Sequence, residues 1–338
     1  MALFVPIIDF GPYLDPAADE AQRRAVIDAL DSACRNVGFF FLANHGIPQA
    51  LFDQIRAIGH RFFDKPAEEK LKYTTDSGFR GYKRFSATTT NGQGLHEVIA
   101  FYASANSYTN GRAPAAAKDT SVPISPDAPD VFGEQNMWPD GEFRAVAEEY
   151  LGCVQRLSQR VLSALATALG VGDSFHDWMD DPFWGMRVTG YPGIAETGGK
   201  VGDGVNFKEH TDFGCITLIN QDDGPDSLQV CDKQGQWHSV TPVPNALVVN
   251  IGDLFSIWTC GRYPAPLHRV VHRAAHRRVS VPIFIDPRFD AVTGPLPELQ
   301  SADDAAPKYE ARPYGDYLWD RISEFYPQQS EGMQRHHA

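Results

Sequence analysis

Long apolar runs are absent from this 338-residue sequence, and so is a basic leader: the opening MALFVPIIDF is broken at Asp9 and again soon after at Pro12. A secretory signal and a membrane-spanning helix each need an uninterrupted apolar stretch, so neither is expected. Cysteine is scarce. Cys34, Cys153, Cys215, Cys231 and Cys260 are odd in number, scattered and without C-x-x-C spacing. That argues against a disulfide framework or a zinc site, and for free thiols in a reducing compartment. Basic residues are outnumbered, 30 against 43 acidic, for a net charge of −13. Nucleic acids and anionic membranes call for a basic face, so neither is expected as a partner. Internal repeats and low-complexity tracts are also missing. These absences make a cytoplasmic protein the expectation, and they leave its oligomeric state open.

What is present suits a globular chain: 43% of residues are hydrophobic and 22% charged, enough for one large domain or two modest ones. Residues 5–10 read as a short strand. Asp15-Pro16 offers an N-cap with proline at the first helical position, and Val26, Leu30, Ala33, Cys34 and Val37 follow at helical spacing up to Gly38. FFFLANHGI reads as a buried strand. Leu51, Ile55, Ile58 and Phe62 mark a second helix, and Pro66-Ala67-Glu68-Glu69-Lys70 starts a short third one. Residues 78–140 read as long loops with two strands, one over residues 96–103, in the manner of a functional lid. A long helix spans Gly141–Leu169, with Phe143, Val146, Tyr150, Val154, Leu157, Val161 and Leu165 as its buried stripe. After Pro182 come short apolar or alternating runs: MRVTGY, CITLI, SLQVC, ALVVNI, LHRVV and VSVPIFI. Evenly spaced short strands predict a β-sandwich or jelly-roll barrel. The tail after Pro327, with His336 and His337, reads as polar and frayed.

The chemistry concentrates in NFKEHTDFGCITLINQDD, residues 206–223. His210 and Asp212 stand two apart at the start of an expected strand, so both face one side. His268, in GRYPAPLHRVV, offers a third ligand. Two imidazoles and one carboxylate on one face of a metal leave open positions, the facial arrangement of non-haem iron(II) oxygenases. A lone His-x-Asp is a weak signal, and a lone histidine is more often structural. Arg278 and Ser280, in RRVSVP, strengthen it. They too are two apart, and an arginine beside a hydroxyl suits a carboxylate clamp. Arg273 and Arg277 fit a solvated strand face better.

Taken together these residues resemble the isopenicillin N synthase-like family of iron(II)- and 2-oxoglutarate-dependent oxygenases. VPIIDF and VGFFFLANHGI resemble its N-terminal segment, and RGYKRF with LHEVIAFY a further stretch. HTDFG, LINQDD, LQV, ALVVNIGD, the His268 segment and the R-x-S-x-P of Arg278 to Pro282 follow its catalytic core in order and spacing. The likeness covers nearly the whole chain. It implies an α+β protein with a double-stranded β-helix (jelly-roll) core, flanking N-terminal helices and a long central helix. It implies Fe(II) on His210, Asp212 and His268, 2-oxoglutarate as cosubstrate on Arg278 and Ser280, and O2 as oxidant. Tyr191 matches a position that contacts cosubstrate or substrate. The chain departs from the family at Thr189, Thr259-Cys260-Gly261, Pro264, Pro266 and Ser227, none of them in the ligand set. The expected division is 1–140 for an N-terminal region with lid loops, 141–181 for the support helix, 182–290 for the core and 291–338 for a C-terminal segment.

The expected activity is oxidation of a C–H bond of a small organic substrate by hydroxylation, desaturation or ring formation, in specialised metabolism, with release of succinate and CO2. Phe79, Arg80, Tyr82, Phe101, Phe207, Phe213 and Phe255, with Tyr191, are candidates for the substrate pocket, Arg80 as a partner for an acidic substrate. The alternatives are a 2-oxoglutarate-independent oxidative cyclase like isopenicillin N synthase, an ethylene-forming enzyme, a non-enzymatic jelly-roll binding protein and a zinc hydrolase.

Overall fold

The computed structural model of the chain describes residues 4–75, 79–85, 95–103, 135–172, 176–197, 206–224, 226–300 and 311–325. Twelve strands among them are β1 (Ile7–Asp9), β2 (Phe39–Ala43), β3 (Gly81–Phe85), β4 (His96–Tyr102), β5 (Phe183–Tyr191), β6 (Phe207–His210), β7 (Ile216–Gln221), β8 (Leu228–Cys231), β9 (Trp237–Ser239), β10 (Leu247–Ile251), β11 (His268–Val270) and β12 (Arg278–Asp286). They form two sheets. The larger runs β1-β2-β10-β7-β12-β5-β4-β3 and the smaller runs β6-β11-β8-β9. All pairs are antiparallel except β1 with β2.

The larger sheet is covered on both faces, which explains why its strands read as near-continuous apolar runs. On β12, Val279, Val281, Ile283 and Ile285 join the core beneath the helices, while Arg278, Ser280, Pro282, Phe284 and Asp286 line the space between the sheets. A period-two pattern therefore holds on a strand that is buried throughout. On β2, Phe40 and Leu42 face the helices, and Phe39 and Phe41 face the smaller sheet.

The helices are α1 (Gly11–Leu14), α2 (Glu20–Asn36), α3 (Gln49–Phe63), α4 (Ala67–Lys70), α5 (Gly141–Leu169), α6 (His176–Met179), α7 (Asp253–Trp258) and α8 (Tyr314–Phe325). All seven stripe residues of α5 are buried, and Gly170 ends it at φ 72°. A left-handed end of that kind favours glycine. Leu51, Ile55, Ile58 and Phe62 of α3 are buried as their spacing predicts.

Two expectations change. The helix expected from Asp15-Pro16 is α2 and starts at Glu20, because Asp19 and Gln22 form a reciprocal capping box. Asp15 instead accepts the Ala17 amide at 2.8 Å and shapes a turn. His210 ends a strand rather than starting one, with Asp212 on the turn that follows. The tail expected to be frayed, His336 and His337 included, lies outside the described residues, as does most of the expected lid.

Candidate active site

The mouth of the space between the sheets carries the three expected ligand residues. His210 on β6 and His268 on β11 are direct cross-strand partners, and their rings lie 4.2 Å apart. The turn after β6 brings Asp212 back beside them. Asp212 Oδ1 stands 3.7 Å from the Nε2 atoms of both His210 and His268. The ligand atoms of all three residues lie within 4.8 Å of one another. Donors about 2.1 Å from one ion are at most about 4.2 Å apart, so the two His–Asp separations fit a shared metal.

The surroundings set the donor chemistry. His210 Nδ1 lies 2.8 Å from the Lys208 carbonyl and His268 Nδ1 3.1 Å from the Pro266 carbonyl. A carbonyl only accepts, so each Nδ1 carries the proton and each Nε2 keeps its lone pair for the cluster. Burial, reinforced by neighbouring His268, drives His210 down to about 3, leaving a neutral imidazole. Burial pushes the Asp212 carboxyl up, but the His268 and His210 rings and hydrogen bonds from Asn250 and Thr217 outweigh it and hold the group below its usual range. Asn250 Nδ2 donates to Asp212 Oδ2 at 2.7 Å, and the Thr217 hydroxyl donates to the same oxygen. Oδ1 is thereby left to face the histidines. Asn250 and Thr217 are paired across β10 and β7.

The same cavity holds the two residues expected to clamp a carboxylate. Arg278 and Ser280 are both buried and both line the cavity. The Arg278 guanidinium lies 5.1 Å over the Tyr191 ring, and its Nη2 donates to Gln221 Oε1 at 2.6 Å. Among the described residues its Nε and Nη1 have no hydrogen-bond partner. Two orphaned, charged donors inside a protein are costly unless an anion meets them. The geometry of the guanidinium suits a carboxylate. The Tyr191 hydroxyl lies beside Ser280 and Arg278.

The cavity encloses about 1070 Å³ including its open mouth, room for a cosubstrate and a small substrate together. Phe79, Phe207, Phe213 and Tyr191 line it. Arg80, Tyr82, Phe101 and Phe255 lie elsewhere. Arg80 is fully buried and donates to the carbonyls of Tyr102 and Ala103 and to Asn136 Oδ1, so it braces β4 rather than meeting a substrate. Tyr82 donates to Glu97 at 2.7 Å, Phe101 stacks on Trp138 at 4.1 Å, and Phe255 stacks on Tyr263 at 6.0 Å.

Sequence reasoning missed Tyr102, Phe183, Arg187, Phe284, Asp286, Leu318 and Ile322 as lining residues. Counting in twos from Arg278 along β12 reaches Phe284 and Asp286, so that signal was present. Leu318 and Ile322 stand four apart on α8, a helix distant in sequence, and no local pattern joins them to the site.

Two sheets enclosing a cavity lined by two imidazoles and a carboxylate within reach of one ion define the class of non-haem metal-dependent oxygenases. Comparison with known proteins narrows this. Residues 5–139 match the family described as non-haem dioxygenase in morphine synthesis N-terminal, and residues 191–287 match the 2OG-Fe(II) oxygenase superfamily. A homoarginine-6-hydroxylase of Glycine max is 33% identical over 94% of this chain and 96% of its own. One of Arabidopsis thaliana is 37% identical over 86% of this chain and 87% of its own. Among solved structures, a full-length Neurospora crassa protein in complex with alpha-KG aligns with a TM-score of 0.77 at 26% identity, over 95% of this chain and 96% of that one. The chain belongs to the 2OG-Fe(II) oxygenase superfamily and is an Fe(II)/2-oxoglutarate-dependent dioxygenase with a jelly-roll core. The reading as an oxidative cyclase or as an ethylene-forming enzyme is not favoured. No helix among the described residues is long and apolar enough to cross a membrane.

Proposed function

We propose that this dioxygenase hydroxylates a C–H bond of a small organic substrate. In this reading His210, Asp212 and His268 hold Fe(II), and Arg278 with Ser280 holds the far carboxylate of 2-oxoglutarate. The observation that carries the reading is the pairing, in one cavity, of the three-donor cluster with a buried guanidinium that has two unmet donors among the described residues. Residues 182–290 carry the chemistry, and the segments on either side support and cover it. A net charge of −13 and free cysteines support a reading without nucleic-acid or anionic-membrane partners and with a cytoplasmic location.

When bound, Fe(II) and 2-oxoglutarate activate O2, so that the substrate gains one oxygen atom and 2-oxoglutarate leaves as succinate and CO2. The chain supplies position and environment. His210 and His268 keep Nε2 aimed inward because Nδ1 is tied to their own backbone. Asn250 and Thr217 hold one oxygen of Asp212 so that the other faces the cluster. Arg278, propped by Gln221 and the Tyr191 ring, fixes the far carboxylate of the cosubstrate. Phe79, Phe207, Phe213 and Phe284 wall the cavity and keep water from the reacting carbon. No side chain has to move a proton in this scheme.

Homoarginine, named in both relatives described above, is the first substrate to test. The experiment incubates the chain with Fe(II), 2-oxoglutarate, O2 and homoarginine or other small acids and amino acids, and follows succinate and hydroxylated product. Equal amounts of the two are expected, with both lost in His210→Ala. Product formed without 2-oxoglutarate, or full activity in that variant, contradicts the reading.

A further inference from the structure

We propose that Asp286 receives a cationic group of the substrate, so that the substrate class is an amine or a guanidine. The inference rests on the function proposed above and deepens it.

The inward face of β12 reads Arg278, Ser280, Pro282, Phe284 and Asp286 in turn, all lining one cavity. Asp286 stands eight residues beyond the clamp, roughly 25 Å along an extended strand. A five-carbon diacid anchored on Arg278 and the His210 cluster does not reach it. The far end of the cavity therefore belongs to the substrate. Its walls are mostly aromatic there: Phe79 stacks on Tyr102 at 4.2 Å, Phe183 packs on Phe289 at 4.6 Å, and Arg187 donates to the Tyr102 hydroxyl at 3.0 Å with its guanidinium 5.3 Å over the Phe284 ring. A carboxylate among such groups needs a reason.

Asp286 is 5% exposed. Its Oδ1 accepts the Cys215 amide at 3.1 Å, and the Tyr314 hydroxyl lies beside it. Among the described residues no basic side chain forms an ion pair with it. Burial lifts its carboxyl to about 7, and the nearby Asp212 charge adds to the lift. Buried carboxylates are ordinarily paired. An ammonium or guanidinium on the substrate is the missing partner, and the surrounding ring faces favour a cation as well. The carboxyl is held in place closely. A Cβ on Gly214 would stand 1.4 Å from Asp286 Oδ1, so only glycine leaves room for it there.

A structural role is the competing account, since Asp286 also anchors the turn that carries Asp212. Asp286→Asn separates the two, because an amide oxygen still accepts from Cys215 while the charge is gone. The experiment is calorimetry on the full chain loaded with Fe(II) and 2-oxoglutarate without O2. The probes are L-arginine against L-citrulline, L-homoarginine against L-homocitrulline, and L-lysine against L-norleucine. At least one cationic probe is expected to bind the unaltered chain tenfold or more tighter than its neutral partner. In Asp286→Asn that ratio falls to near one, and Asp286→Glu keeps part of it. The inference is overturned if the unaltered chain prefers no cation, if Asp286→Asn keeps the preference, or if the variant weakens both members of each pair in parallel. An unaltered chain that decarboxylates 2-oxoglutarate yet prefers no cation overturns the role of Asp286 alone. One that cannot decarboxylate it overturns the proposed function as well.

Discussion

Each donor atom of the cluster is aimed by a neighbour that occupies the other half of its group. The two histidines commit Nδ1 to carbonyls two residues back, and Asp212 commits Oδ2 to Asn250 and Thr217. Removing such a partner weakens a metal site about 10- to 100-fold. Asn250→Ala is therefore expected to lower Fe(II) affinity by about that factor, read by equilibrium dialysis, while His210 and His268 stay in place. Arg278 shows the same logic from the cosubstrate side. A charge-assisted pair contributes about 1.5–3 kcal/mol, so Arg278→Gln should raise KM for 2-oxoglutarate by about 10- to 100-fold and change kcat far less. Arg278→Lys should recover only part of the loss, since a point charge cannot replace a planar fork. The ligand and clamp residues are legible in the sequence because two-residue spacing puts partners on one strand face. The role of Arg80 is not, because its partners, the Tyr102 and Ala103 carbonyls, come from a strand more than twenty positions away, and nothing in its own neighbourhood announces that burial.

At the scale of elements, α3 is the brace beneath the clamp. Arg56 Nη1 donates to the Gln221 carbonyl at 2.6 Å, and His60 Nε2 meets Asp222 Oδ2 at 2.8 Å. Asp222 in turn accepts the amide of Val279, the residue between Arg278 and Ser280. The Asp222 hydrogen bond raises His60 despite burial. That contribution is fully present below about pH 6.5 and is lost as pH rises through the higher folded value. Burial raises Asp222, but His60 and the Val279 amide hold it below its usual range. Its share is present above about pH 4 and is lost as pH falls. Asp222→Asn should thus lower thermal stability more at about pH 5.5 than at about pH 9, by no more than about 1 kcal/mol for this partly exposed pair. A second prediction concerns the seat of the same helix. A Cβ on Gly59 would meet Val188 Cγ1 at 2.8 Å and Val279 Cγ1 at 2.9 Å. Alanine favours helices, yet Gly59→Ala should destabilise by about 1–3 kcal/mol through overpacking, and KM for 2-oxoglutarate should rise because Val279 shifts. Calorimetric melting and steady-state kinetics check the two parts. The amphipathic stripes of α3 and α5 are plain in the sequence. The start of α2 is not, because Asp15-Pro16 and Asp19-x-x-Gln22 are both valid helix openings and only the second has its reciprocal hydrogen bonds.

Across the whole molecule, two sheets of unequal size divide the work. The larger carries the clamp on β12 and, through β5, much of the cavity wall, and the smaller carries both histidines. The strands themselves can be read from short alternating runs. Their order cannot, since neighbours such as β7 and β12 lie far apart in the chain and pairing leaves no local trace. The same holds for α8, whose Leu318 and Ile322 reach the cavity from beyond the core. Arg321 ties that helix to Asp253, which also accepts the Thr211 hydroxyl next to Asp212, so the C-terminal helix and the ligand turn are joined by one carboxylate. Under the proposed function, one Fe(II) on His210, Asp212 and His268 drives 2-oxoglutarate decarboxylation. Release of CO2 from carboxyl-labelled 2-oxoglutarate, measured as Fe(II) is titrated into the metal-free chain, tests it most directly. The rate is expected to saturate at one Fe(II) per chain and to be abolished in His268→Ala. Decarboxylation that is independent of added iron, or that survives in this variant, would contradict it.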